Sequence, residues 1–148
     1  MRKSILNFSL VVLAFVLTLS VNNAAAQCKN FTMKKCMPGL APYLHNGQLN
    51  STTLSPGESA EMQMTFYSGQ EYRLLICGQE ILGTIAFKVT DMDKKPLFDS
   101  REHDNATSWD FKMTSTQQIV IEVIVPNSKS SNDITQSACV SMLVGYKK

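Results

Sequence analysis

Residues 59 to 66 run Ser-Ala-Glu-Met-Gln-Met-Thr-Phe, with Ala60, Met62, Met64 and Phe66 apolar and Glu61, Gln63 and Thr65 polar between them. A period of two is the pattern of a β-strand with one buried face, and the i, i+3, i+4 spacing of an amphipathic helix fails across the same residues. Ser68-Gly69-Gln70 supplies a turn, after which Tyr72, Leu74 and Ile76 alternate with Glu71, Arg73 and Leu75, so the two runs are expected to pair as a hairpin. Further on, Ile85, Phe87 and Val89 point one way and Thr84, Lys88 and Thr90 the other, followed by the polar turn Asp91 to Lys95 and a short strand at Pro96-Leu97-Phe98. Trp109, Phe111 and Met113 alternate with Ser108, Asp110 and Lys112. The run Ile119 to Val125 is interrupted only by Glu122, which predicts a central strand covered on both faces. A Ser- and Asn-rich connection, Pro126 to Ala138, leads to a last strand carrying Val140, Met142, Val144 and Tyr146, and a weaker strand is expected at Gln48 to Leu54.

Seven or eight short strands, no helix and turn signals every 8 to 12 residues make an all-β, antiparallel two-sheet sandwich of jelly-roll-like form the expected fold, since each sheet has one face to bury. Leu75, Val120, Ile124 and Leu143 are apolar but out of phase with the inward set, which predicts a greasy strip on an outer face. Residues 28 to 47, with Phe31, Met37, Leu40 and Tyr43, are expected to cover it.

The N terminus has a different composition. Arg2 and Lys3 precede the apolar run Leu10 to Leu17 and then Ala24-Ala25-Ala26, the three parts of an export signal, so residues 1 to 26 are read as a signal peptide, 27 to 47 as a disulfide-bearing extension and 48 to 148 as the sandwich. The expected location is secreted or periplasmic. Cys28 is not read as a lipid-anchored cysteine, because Gln27 stands where such signals need a small residue. Arg2 and Lys3 are two of the 14 basic residues, so the 12 that remain match the 12 Asp and Glu. A neutral domain without basic blocks has no electrostatic footprint for nucleic acid, and no later stretch approaches the roughly 20 apolar residues of a membrane-spanning helix.

Cys28, Cys36, Cys77 and Cys139 all follow the expected cleavage site, and an even count in an oxidising compartment predicts two disulfides. Their spacing contains no C-x-x-C pair and the only histidines are His45 and His103, so no metal site is expected. Cys77 and Cys139 are both out of phase with the inward residues of their strands. That parity favours Cys77 with Cys139 and Cys28 with Cys36, the alternative being that both N-terminal cysteines staple their segment onto the outer face.

Ser68-Gly69-Gln70-Glu71-Tyr72-Arg73-Leu74, the strand Ile85 to Asp91 ending in Asp, and the closing Ala138-Cys139-Val140-Ser141-Met142-Leu143-Val144-Gly145-Tyr146 resemble the pre-peptidase C-terminal type of secreted bacterial β-sandwich over residues 54 to 147. The chain is also similar to small exported proteins of Bacteroidetes. The first resemblance implies an accessory module that assists binding or secretion. Here it stands without a catalytic domain, and the cysteines are no part of that pattern.

The chemistry of catalysis is sparse. There is no G-x-S-x-G, and His45 and His103 lie in loop-like surroundings. Asp91, Asp93, Asp99, Glu102 and Asp104 flank one short strand and could offer oxygens to calcium, but Lys94, Lys95 and Arg101 among them and the lack of a D-x-D-x-D-G loop favour a solvated turn. Trp109 and Tyr67 could stack on a sugar, although the parity of Trp109 with Phe111 and Met113 favours the core. The sequons at Asn30, Asn50 and Asn105 place those residues at the surface if the chain meets a glycosylating host. The expectation is a non-enzymatic binding or accessory module with no catalytic residue, cofactor or metal, whose ligand is a protein or a glycan. The alternatives are a carbohydrate-binding module and a calcium-dependent small hydrolase.

Overall fold

All eight stretches read as strands form strands in a computed structural model, which describes residues 28–127 and 136–148; the expected signal peptide, residues 1 to 26, and the middle of the Ser- and Asn-rich connection lie outside the described residues. The fold is an all-β sandwich of two antiparallel sheets. One sheet contains β1 (Leu44–His45), β2 (Asn50–Leu54), β4 (Glu71–Gly78), β7 (Ser108–Lys112) and β9 (Ala138–Tyr146). In it β1 and β2 lie one after the other along one side of β9, and β4 and β7 follow on the other side. The second sheet has the order β3 (Ser59–Phe66), β8 (Gln117–Ile124), β5 (Ala86–Asp91) and β6 (Pro96–Asp99). The strand without a sequence signal is β1, two residues that pair with Tyr146 and Gly145.

The inner faces meet in one core, where Tyr72, Leu74 and Ile76 of β4 and Val140, Met142 and Val144 of β9 face Phe66, Phe87, Val89, Ile119, Ile121 and Val123. Burying each large side chain of this set stabilises the fold by about 1.5–3 kcal/mol relative to exposure. Four expectations need correction, the last of them the disulfide pairing. The first is the hairpin: β3 pairs with β8 and β4 with β7 and β9, so the Tyr67–Gln70 turn crosses between the sheets. Alternation is the same in a hairpin and in such an arch, and the turn is committed to the crossing by Gly69 N–H donating to Met113 O and Met113 N–H to Gln70 O. The second concerns β8, which is internal to its sheet but buries only Ile119, Ile121 and Val123; Val120 and Ile124 on its outer face are half-exposed. The strand buried on both faces is β9, from Ala138 to Gly145.

The third concerns the segment expected to cover the greasy strip. It covers Leu75 and Leu143 but not Val120 and Ile124, which belong to the other sheet, and it does so as helical turns where no helix was expected. Cys28, Thr32, Cys36 and Leu40 are buried, every fourth residue, while most of their neighbours face solvent. Four residues of an α-helix overshoot one turn by about 40°. A wider π-type turn at Thr32–Cys36, in which Met37 N–H donates to Thr32 O five residues back, keeps the set on one side. Thr32 Oγ1 donates to Cys28 O at 2.7 Å and accepts from Ser141 Oγ at 2.6 Å. Leu40 packs on Leu75 and Leu143. At Gly145 the strap comes so close that a Cβ would lie 2.7 Å from that of Tyr43.

The disulfides are Cys28–Cys139 and Cys36–Cys77, not the favoured pairing. Cys77 lies in register with Ser141, so Cys139 is its diagonal neighbour, about 7–8 Å away. That exceeds the roughly 4.4–6.8 Å between Cα atoms that a disulfide spans. Cys28 and Cys36 are separated by two helical turns, about 12 Å. Each sulfur on the sheet therefore takes the strap cysteine above it, with Cα atoms 5.3 and 5.7 Å apart. Arg73 fastens the far end of the strap. Its Nε and Nη2 donate to the two Asp110 oxygens, both at 2.7 Å, its Nη1 donates to Ala41 O at 2.7 Å, and its Cζ lies 4.7 Å from the Tyr43 ring centre.

Candidate functional site

A sandwich has two open sides, where the edge strands of its sheets face one another. On the β6–β7 side the gap is filled by rings. His103 stacks on Phe98 at 4.7 Å, Phe98 on Trp109 at 5.1 Å and Trp109 on Phe111 at 4.2 Å between centroids, and Phe111 continues the series to Phe66 and Tyr72. Trp109 is thus sandwiched between two rings and packs against the core, which leaves it no face for a sugar.

The opposite side, between β3 and β1–β2, is a groove. Its wider part, about 650 Å³, lies among Asn46, Gln48 and Asn50 on one wall, Met62 and Met64 on the other, and Tyr67, Ser68 and Gln70 at the end. A narrower part of about 400 Å³ continues past Asn50 and Met62 toward Thr52, Ala60 and Glu61. The chain closes that end as it crosses from β2 to β3 through Ser55–Glu58, where Glu58 N–H donates to Ser55 O and Ser55 N–H to Glu58 Oε2 at 2.7 Å. Local geometry sets the amide wall. Asn46 N–H continues the β1 pairing to Val144 O, Gly47 takes a φ of 90°, and Asn46 Oδ1 accepts Gln48 N–H at 3.0 Å. Across the groove, Asn46 Nδ2 donates weakly to Met64 Sδ at 3.8 Å.

Asn50 lines this groove, and its Nδ2 is buried away from the open space with no hydrogen-bond partner among the described residues. An amide left in that state costs about 1–3 kcal/mol relative to one that is satisfied. The lining of the wider part holds no carboxylate, amine, imidazole or thiol. Its serine, Ser68, donates its proton to Thr114 O at 2.9 Å and has no base beside it. Such a lining can hold a ligand by hydrogen bonds and dispersion. Tyr67 stands 64% exposed at the mouth.

The backbone of β3 forms the outer lip. Val125 N–H donates to Glu58 O, which fixes the phase of the β3–β8 ladder: Ala60, Met62 and Met64 bond to β8, and the N–H and C=O of Ser59, Glu61, Gln63 and Thr65 face the open edge. Among the described residues nothing bonds to them.

The other residues singled out from the sequence lie elsewhere. Asp91 Oδ1 accepts Asp93 and Lys95 N–H at 2.9 and 2.8 Å, and Asp99 is held by Arg101 Nε and Nη2 at 3.0 and 2.6 Å, a pairing that draws its carboxyl below the usual range. These carboxylates serve their own turns, and among the described residues no group of three or more His, Cys, Asp and Glu side chains converges as a metal site would require. His45 is half-buried in β1 with its ring between Gly47 N–H and Gln48 O, and His103 is exposed. Of the groove's amides only Asn50 is marked in the sequence, as a sequon, while Asn46 and Gln48 are passed over. Their one shared signal is that Asn46, Gln48 and Asn50 themselves alternate with a period of two.

No protein-family model and no curated protein matches this chain. Among solved structures it is similar to that of Aeromonas hydrophila PliG, a periplasmic lysozyme inhibitor of g-type lysozyme, over 72% of this chain and 89% of that one, at 12% sequence identity and a TM-score of 0.49.

Proposed function

We propose that the protein is a non-enzymatic binding module that works in an oxidising, extracytosolic compartment and holds a neutral ligand in the groove between β3 and β1–β2. The observation that carries this reading is an open groove whose wider part has an uncharged lining with a row of amides, Asn46, Gln48 and Asn50, along one wall. Those side chains can exchange hydrogen bonds with a neutral ligand without the cost of burying a charge. All four cysteines being paired supports the compartment, since such bridges persist where thiols are not kept reduced. The accessory role implied by the pre-peptidase C-terminal resemblance belongs to the same reading.

The test is a titration of isotope-labelled protein with two probe sets, neutral oligosaccharides and uncharged peptides, following side-chain amide resonances. Members of one set should shift the Asn46, Gln48 and Asn50 signals and leave those of Asn105 in place, and Gln48→Arg at the exposed rim should weaken that binding at least tenfold. Shifts that map to the Asp91–Asp104 turns, or turnover of any probe, would overturn the reading.

A further inference from the structure

We infer that the groove's ligand is an extended polypeptide segment that adds to β3 as a further strand of its sheet; this rests on the groove reading above. The chemistry that recognises it is the edge itself. Ser59, Glu61, Gln63 and Thr65 present their N–H and C=O groups outward at every second residue, a repeat of about 6.8 Å. Another β-strand matches that repeat; a sugar chain, with no alternating amide donors and acceptors, does not.

Edges that are meant to stay single are blunted by proline, a bulge, a lysine or shortness. β3 has none of these: it runs eight residues, pairs with β8 without a register shift, and its one charge is Glu61, on the outer face. The groove explains the next requirement. A strand laid beside β3 sends alternate side chains inward, over the methionines and onto the amide wall. That wall carries Asn46, Gln48 and Asn50 and no charge, so the inward positions of a matching segment are uncharged and hydrogen-bonding: Asn, Gln, Ser or Thr. A second copy pairing through its own β3 does not match that wall, because the side chains it would send inward, Ala60, Met62 and Met64, carry no oxygen. Met62 and Met64 suit a site that accepts varied neighbours, being unbranched and polarizable.

The test uses the purified full-length mature protein and a displayed library of random ten-residue peptides, with the enriched peptides made synthetically. The expected result is enrichment of peptides with Asn, Gln, Ser or Thr at alternate positions, whose binding falls at least tenfold on Gln63→Pro, a change that removes one outward N–H at an edge. Because that variant could fail to fold, the probe is altered as well: N-methylation of the peptide at alternate residues should abolish binding in one phase and spare it in the other. Binding unaffected by methylation in either phase overturns strand addition. So does the absence of any enriched peptide, and so does a dimer in sedimentation that Gln63→Lys disperses, which would assign the edge to a second copy. If an oligosaccharide shifts the Asn50 amide while the β3 backbone resonances stay fixed, the groove reading stands and strand addition fails; if neither probe set moves the groove amides, both fail.

Discussion

The two open sides of the sandwich are closed by different chemistry. Between β6 and β7 four rings stack at 4.2 to 5.1 Å from His103 to Phe111, so the sheets are joined by aromatic packing. Between β3 and β1–β2 an amide meets a thioether across the gap at 3.8 Å, and the β3 edge is left unpaired among the described residues. Ring packing is concentrated on the first side, and unpaired strand-edge hydrogen-bonding groups are left on the second. This is the usual division between a scaffold and the surface it carries.

The comparison can be broken by substitution, and the largest loss should come from outside both sides. Removing the Cys28–Cys139 bridge as a double Cys→Ala variant releases a loop of 111 residues, worth about 4–5 kcal/mol in the chain-entropy model. Denaturant unfolding should show that loss while hydrogen exchange still protects the β6–β7 side more than the β3 edge. Next is Trp109→Ala, which takes the middle ring out of the stack and should lower stability by about 3 kcal/mol. Met64→Ala, at the matching position on the groove side, should cost about 1 kcal/mol or less, since the residue is already half-exposed. Equal losses for the two would erase the distinction between the sides.

The smallest effect is set by pH. The Arg73 guanidinium beside Asp110 holds that carboxyl below its usual range in the folded state. Its contribution is therefore complete above the ordinary carboxylate pKa and disappears as pH falls through the lowered value. The pair is exposed enough that about 0.5 kcal/mol is a fair ceiling. Melting temperatures of the wild type and Asp110→Asn should differ slightly at neutral pH and converge in strong acid.

Much of the fold was legible because a period of two survives whatever the strand pairs with. Ala60 to Phe66 and Tyr72 to Ile76 announce inward faces, and those faces are inward. Partner choice was not legible, since an arch and a hairpin share one alternation, and β1 escaped because its two residues depend on Gly145 and Tyr146 a hundred positions away. β9 was under-read for the opposite reason. Ser141 and Gly145 look like surface residues, but each is buried because the strap needs a hydroxyl at one place and no side chain at the other. The repeat Cys28, Thr32, Cys36, Leu40 was there to be counted as a helical face, and its cysteines drew attention to pairing instead of spacing. The groove was hidden because its walls come from separate sheets, and no local pattern records what a distant edge will face.

The disulfides are nested, with Cys36–Cys77 enclosed by Cys28–Cys139. In order of synthesis Cys36 is the first thiol that Cys28 can meet, while its proper partner is the last one made. Oxidation that keeps pace with chain elongation therefore offers the wrong union first. A bond formed in that way must be undone by thiol exchange once the final strand has arrived.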